Sequence, residues 1–245
     1  MKDKNTLIPV FQGGLGNQLF IYSCAKILSL KYDCNIASDN FSGFKIDTKY
    51  NRSYKLDSFN LNLKHISKNH YLLESKLKLK YRLYKLLMNF QSDVSIISDK
   101  NINHILLDGK KWNYFSKNMY MYGNFQLPKI LNEHRHMLLK NIQFNNRSIL
   151  RSKFDSIEFA PNDVCIHLRL FKDDPNEFEY ISKYIQRAIK LTKNYIDKPK
   201  FFIISESAND IQRLNKCINE DLVNLIYLKN NDVEDLFLLT QFRNL

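Results

Sequence analysis

Phe11-Gln12-Gly13-Gly14-Leu15-Gly16-Asn17-Gln18-Leu19-Phe20 is the stretch whose reading decides the fold. A short apolar run, Leu7 to Phe11, feeds this glycine-dense turn. Beyond it, apolar residues at Leu19, Phe20, Cys24, Ile27, Leu28 and Tyr32 keep helical spacing. Strand, glycine loop, helix is the arrangement that aims backbone N–H groups and a helix N-terminus at an anion. Glycine admits positive φ and lets a ligand approach the backbone closely. The pattern is neither G-x-G-x-x-G nor G-K-[ST], so neither the dinucleotide fingerprint nor the P-loop is expected. Two readings stand for Gly13, Gly14 and Gly16: a tight βα turn without a ligand, or a binding loop. Asn17 and Gln18 favour the second. Two side-chain amides at a helix start supply donors and acceptors suited to phosphate or sugar hydroxyls.

The chain has 245 residues, 44% hydrophobic and 25% charged, which is the composition of a globular protein of one large domain or two small ones. Its four cysteines, Cys24, Cys34, Cys165 and Cys217, form no C-x-x-C pair, so neither zinc nor a redox dithiol is suggested. Cys24 and Cys165 lie in apolar runs and read as buried thiols, which fits a reducing, cytoplasmic setting. The first apolar run is too short for a signal peptide. No stretch approaches the roughly 20 apolar residues that span a bilayer.

The formal charge of +12 admits nucleic acid, an anionic membrane surface or an anionic small substrate as partner. The lysines are spread along the chain and no nucleic-acid-binding module is present, so no nucleic-acid partner is expected. The densest stretch, residues 76–85, falls in a basic amphipathic helix predicted over 72–90. That helix reads as a solvated surface face or as a peripheral contact with the inner face of a membrane.

In the first part, Cys34–Ser38 reads as a strand and Arg52–Asn60 as a polar-aromatic stretch. Tyr120–Gln126 reads as a strand running into a loop, and 129–142 as a helix. The polar stretch Asn145–Pro161 reads as a linker, giving domains 1–150 and 151–245. The second part alternates more regularly. Strands are predicted at Val164–Arg169, Phe201–Ile204 and Leu222–Leu228, and helices at Phe178–Asn194, Asn209–Cys217 and Val233–Phe242. Phe201–Ile204 is unbroken in its apolar character, as in a strand buried on both faces. Such alternation predicts a parallel sheet with right-handed crossovers, whose ligands lie beyond the carboxyl ends of the strands.

That rule places His167, Arg169, Ser205 and Glu206 on one rim. A guanidinium at a strand end can hold a phosphate bidentately and stabilise charge on a leaving group, so Arg169 is the candidate catalytic residue. An Arg–Asp pair with Asp173 or Asp174 is the structural alternative. His167 points to the same strand face and reads as a nucleotide contact or an orienting group. Ser205 and Glu206 could take ribose or base hydrogen bonds, or Ser205 could cap the next helix. No metal site is predicted, since Asp173-Asp174 is weaker than D-x-D. No Ser/His/Asp order supports hydrolysis.

Several stretches together resemble one family. Gln12–Phe20 resembles the N-terminal signature of the α-1,2-fucosyltransferases, glycosyltransferase family 11. Arg52–Asn60 is similar to the family's Arg-x-(aromatic)-x-Leu-x-x-Phe segment, and Gly123–Gln126 to its Gly-(Tyr/Asn)-(Phe/Trp)-Gln loop. His167–Arg169 matches the start of the H-x-R-R-G-D motif shared with α-1,6- and protein O-fucosyltransferases. Phe202–Glu206 resembles the family's Phe-x-Phe-Ser-Asp-Asp strand end. The resemblance implies a GT-B-like α/β fold, two Rossmann-like halves facing a cleft, with 1–150 on the acceptor side and 151–245 binding the nucleotide sugar. It implies inverting, metal-independent and cofactor-free transfer of L-fucose from GDP-fucose to a galactose 2-hydroxyl on a glycan or lipid-linked oligosaccharide, in surface-glycan (O-antigen) biosynthesis. Arg169 would hold the β-phosphate. Gly13, Gly14, Gly16, Asn17 and Gln18 would face fucose and phosphates, and His167, Ser205 and Glu206 the nucleotide. Asp173, Asp174 and Glu177 are the acids from which a base would come.

Two departures accompany it. Leu170, Phe171 and Lys172 stand where the family has Arg, Gly and Asp. The family's last strand and its Ser-x-Phe-Ser-Trp-Trp-Gly segment have no counterpart, so an incomplete second half with compromised activity is expected. A catalytically inactive relative is the alternative from another class. A basic membrane- or RNA-binding protein is a third.

Overall fold

The computed structural model describes residues 4–66, 94–107, 118–170, 176–205, 207–218 and 231–244. It divides into two compact units, Met1–Asn145 and Asn146–Leu245. The helix expected over 72–90 with its basic 76–85 segment, the strand expected at Leu222–Leu228, and Asp173, Asp174 and Glu206 lie outside the described residues.

Unit 1 is built on a five-stranded parallel sheet of β1 (Thr6–Pro9), β2 (Asn35–Ser38), β3 (Lys64–His65), β4 (Val94–Ser98) and β5 (Asn118–Tyr122), in the order β3-β2-β1-β5-β4. The register is continuous across the centre, with Leu7 opposite Ile36 on one side and Met119 on the other. β1 is therefore a central strand, and Leu7, Ile8, Val10 and Phe11 are buried to 2% or less. Burying each such side chain contributes about 1.5–3 kcal/mol. Helix α1 (Leu15–Tyr32) packs along β1 and β2. It is buried on most of its circumference, from Ile21 to Ala25 and again at Ile27 and Leu28, which is why its sequence carries so few charges. It ends at Asp33 in the left-handed conformation, φ 50°, whose N–H returns to Ser29 O.

Short helices α2 (Ser42–Lys45) and α3 (Ile102–Leu107) and a 3₁₀ turn at Leu56–Ser58 follow the strands. The single helix expected over 129–142 is two, α4 (Pro128–Glu133) and α5 (Arg135–Asn141), broken at His134. The His134 imidazole Nδ1 lies 3.0 Å from Ile130 O and competes with the helical ladder at that point. Ile27, Ile130 and Leu138 form the core beneath them.

Unit 2 pairs β6 (Val164–Leu168) with β7 (Phe201–Ser205) in parallel, Val164 opposite Phe201. On one face Val164, Leu168, Phe201 and Ile203 pack with Ile185 and Ile189 of α7 (Glu177–Thr192) and Ile211 and Leu214 of α8 (Ala208–Cys217). An aromatic cluster of Phe159, Phe202 and Phe242, with centroids 4.9–6.5 Å apart, packs about the second strand. β7 is buried at every position, as its unbroken apolar run requires. The other edge of β6 is met by Asn244, whose carbonyl accepts from Cys165 N–H.

The stretch expected to be a bare linker, Asn145–Pro161, contains helix α6 (Arg147–Lys153). What orders it is tertiary. Phe154, 3% exposed, stacks on Phe237 of α9 (Asp232–Leu239), and Lys153 Nζ pairs with Glu234 Oε2 at 2.7 Å. Glu234 also completes a capping box with Asn231. Cys24, Cys34 and Cys165 are buried as free thiols, pushed up to about 12, 11 and 12 respectively, chiefly by burial. No helix among the described residues is long and apolar enough to cross a membrane.

Two outcomes follow. A Cβ on Gly43 would stand 2.2 Å from Phe11 O, whereas one on Gly16 would meet nothing within 4 Å. Gly43→Ala should therefore cost about 1–3 kcal/mol in urea unfolding, and Gly16→Ala should be neutral or slightly stabilising. The second outcome concerns Glu234. Burial alone would raise its pKa, but hydrogen bonds from Lys153 and the Asn231 N–H outweigh burial and lower it. Its folded pKa lies below the unfolded one, so its contribution is present above the usual glutamate range and fades as pH falls through the lowered value. Acid unfolding of Glu234→Gln should show a shallower loss of stability below about pH 4.5 than the parent.

Candidate functional site

In unit 1 the connection β1–α1–β2 proceeds to one side of β1 while β5 lies on the other. This is the switch point at which a parallel sheet opens a crevice beyond its carboxyl ends. The two loops that leave there are Gln12–Gly14 after β1 and Gly123–Gln126 after β5. Gly13 has φ +71°, and Gly14 is the extended N-cap of α1. Among the described residues no side chain caps that helix and no acid stands in its first turn, and a helix N-terminus of this kind favours an external acceptor.

The turn is braced by close neighbours. A Cβ on Gly13 would stand 2.6 Å from Asn17 Nδ2, and one on Gly14 would collide with Arg52 Nη1. The glycines thus make room for Asn17 and for a guanidinium laid against the loop. The Arg52 guanidinium lies 5.1 Å above the Tyr50 ring, and the Arg52 backbone N–H donates to Asp47 Oδ2. The two strand-end loops bond to each other twice. Gln12 Nε2 donates to Asn124 Oδ1 at 3.2 Å, and Gln126 Nε2 donates to Asn17 Oδ1 at 3.0 Å. Asp99, at the end of β4, accepts from Phe125 N–H at 2.7 Å and Asn124 N–H at 3.0 Å.

Gln18 corrects the sequence reading. It is fully buried, Nε2 donates to Gly13 O and Ser53 O, and Oε1 accepts from Lys55 N–H. Its amide is consumed inside the fold, so it positions the turn and does not face a ligand. Asn17, half-buried and bonded to Gln126, remains at the rim. Gly16 is exposed in the first turn of α1.

Ser38, His65 and Asp57 come together although their order in the chain suggested nothing. Ser38 Oγ lies 2.6 Å from His65 Nδ1, and His65 Nε2 lies 3.7 Å from Asp57 Oδ1. Ser38 is fully buried and so closed to a substrate. Tyr54 completes the cluster, its ring 5.4 Å from Phe11 and 5.5 Å from His65, with its hydroxyl pushed well up by burial. The group fastens segment 52–58 beside the glycine turn.

In unit 2, His167 and Arg169 are exposed at the carboxyl end of β6. They belong to the lining of a groove of about 380 Å³ that also takes in Val164 and Ile166 of β6 and Ile181, Tyr184 and Ile185 of α7. A mostly apolar lining that includes an imidazole and a guanidinium is the make-up of a small-molecule site. Ser205 is buried, 5% exposed, and its Oγ accepts from Ser207 N–H. Ser207, not Ser205, caps α8, accepting from Asp210 N–H. Ser205 therefore shapes the strand end from beneath. Glu177 opens α7, where an acid suits the helix N-terminus. Among the described residues no three metal-ligating side chains converge.

Arg52 stood in the sequence only as the start of a motif, and Asp99 and the Gln12–Asn124 and Asn17–Gln126 pairs were not singled out there. The carboxyl-end rule applied to every strand, and not to unit 2 alone, points to Gln12, Asp99 and Asn124.

No protein-family model matches the chain, and no curated protein matches it. Solved structures do. The fucosyltransferase NodZ from Bradyrhizobium is 11% identical, with 99% of this chain covering 87% of that one at a TM-score of 0.60. A FUT1 variant of Arabidopsis thaliana in complex with GDP is 11% identical at a TM-score of 0.57, with 87% of this chain covered. The chain spans 56% of the length of that FUT1 chain. NodZ α-1,6-fucosyltransferase soaked with GDP-fucose is 12% identical, with coverage of 98% and 82% and a TM-score of 0.53. At these identities the likeness establishes the fold, which is α/β and GT-B-like.

Gln18 generates a test. Replacing it with Ala removes three part-buried hydrogen bonds and empties the space of a fully buried side chain, at about 0.5–1.5 kcal/mol for each bond lost. Gln18→Ala should lose at least about 2 kcal/mol in chemical denaturation, and Gln18→Glu should lose stability as well, because Ser53 O and Gly13 O then meet a carboxylate.

Proposed function

We propose that the protein transfers L-fucose from GDP-fucose to the 2-hydroxyl of a galactoside on a glycan or lipid-linked oligosaccharide, with inversion and without a metal or other cofactor. The observation that carries this reading is the fold likeness to NodZ, a fucosyltransferase studied with GDP-fucose. The α-1,2 linkage and the galactoside rest on the resemblance of Gln12–Phe20 and its companion motifs. Residues 1–150 serve the acceptor, 151–245 the nucleotide sugar, and segment 76–85 a membrane surface on which a lipid-linked acceptor would sit.

In this reaction the acceptor 2-oxygen attacks fucose C1 and the bond from C1 to the β-phosphate oxygen breaks. GDP departs with the electron pair, and the hydroxyl proton passes to a base. Charge accumulates on the β-phosphate, and in this reading Arg169 neutralises it through paired N–H donors. His167 and Glu206 hold the nucleotide. Asn17 and the glycine turn offer amide and backbone donors to sugar hydroxyls and phosphate. Arg52, beside Gly14, adds a cation to that wall. Leu170-Phe171-Lys172 favours a second reading, an inactive relative that retains GDP binding.

Turnover of GDP-fucose against a panel of galactosides decides between them. Arg169→Ala should lower kcat by about 10²–10³-fold, with the parental fold retained by circular dichroism. Near-parental transfer by that variant would remove Arg169 from its role. Release of no GDP by the parent, with titration heat from GDP, selects the inactive reading, and no heat at millimolar GDP overturns both.

A further inference from the structure

We propose that Asp99 is the positioning residue of the unit 1 rim, acting through the Gly123–Gln126 loop to set Gln12 and Asn17. The inference rests on the transfer reaction proposed above for the step it affects. Its structural half stands on the geometry alone.

Both carboxylate oxygens are in use. Oδ1 accepts from Phe125 N–H at 2.7 Å and Oδ2 from Asn124 N–H at 3.0 Å. The carboxylate lies so flat on the turn that a Cβ on Gly123 would stand 2.5 Å from Oδ2 and 2.9 Å from Oδ1. Glycine at 123 is what allows the approach. The loop so held is not one the backbone adopts unaided. Phe125 has φ +49° with a fully buried side chain, and a non-glycine residue there costs about 1–2 kcal/mol. Charge-assisted bonds to two successive N–H groups offset that cost and select this conformation. Once it is fixed, Asn124 and Gln126 flank Phe125 and face outward, both exposed. One accepts from Gln12 and the other donates to Asn17. Asp99 therefore governs both ends of the glycine turn without touching it.

An acid is required here, because Asn at 99 would turn one oxygen into a donor facing an N–H group. Glu keeps both acceptors on a longer stem. Gly123→Ala displaces the carboxylate and leaves its charge intact. The full chain is compared as parent, Asp99→Asn, Asp99→Glu and Gly123→Ala, by amide hydrogen exchange and by steady-state kinetics with GDP-fucose and a responsive galactoside. The proposal expects about tenfold or faster exchange over 123–126 and also over 12–17 in Asp99→Asn and Gly123→Ala. It expects kcat to fall about 10–100-fold with the KM for GDP-fucose nearly constant, and Asp99→Glu to recover part of both. Faster exchange at 123–126 with 12–17 unchanged overturns it, as does unchanged kcat in either disrupted variant. If the parent transfers no fucose, the reaction reading fails on its own and the exchange at 12–17 still decides the claim for Asp99.

Discussion

The buried amide of Gln18 is the interaction on which the rim of unit 1 depends. An amide moved out of water costs several kcal/mol unless its groups are matched. Here Gly13 O, Ser53 O and Lys55 N–H match it in three directions. The match fixes the glycine turn to a segment some 35 residues away in the chain. It also fixes what that segment carries. Arg52 precedes Ser53 directly and is thereby laid on Gly14. Tyr54 follows and is driven edgewise onto Phe11. A loop of glycines, which alone would sample many conformations, is held as one surface by a side chain that never reaches that surface.

A second constraint comes from topology. Because β5 lies beside β1 in parallel, the loops that follow them emerge together, and short polar side chains can bridge them. Gln12–Asn124 and Asn17–Gln126 are those bridges. Amides suit this place, since each gives a donor and an acceptor from one rigid plane. Asp99, from the strand next outward, sets the geometry of the second loop, so the rim is determined by three adjacent strands β1, β5 and β4.

Much of this was legible in the sequence and some was not, for identifiable reasons. Strand, glycine turn and helix were readable from Leu7 to Tyr32 because periodicity and glycine spacing are local properties. The position of His167 and Arg169 at the carboxyl end of β6 was readable because alternation puts them on one face of a short apolar run. Gln18 was misread because its type suits a ligand and a buried bracing role equally, and only its partners at 53 and 55 decide. Helix α6 was hidden because its order comes from Phe154 on Phe237 and Lys153 on Glu234, contacts some 80 residues apart. The break at His134 is a contest between one imidazole and a backbone ladder that no periodicity reports.

The two rims differ in chemistry, and the difference bears on which ligand groups each would take under the proposed reaction. The unit 1 rim is largely neutral and bidentate, with paired amides, glycine N–H groups and one guanidinium. Such a surface distinguishes hydroxyl positions, because it presents donors and acceptors at fixed spacing. The unit 2 groove is lined by a cation, an imidazole and apolar side chains that include Ile181 and Ile185. Such a surface favours a flat apolar body with an anionic tail, where charge must be neutralised at the moment a bond to phosphate breaks. Much of unit 1, from Gln18 to Asp99, is committed to holding those amides still, so the spacing of their donors and acceptors is set before any ligand arrives.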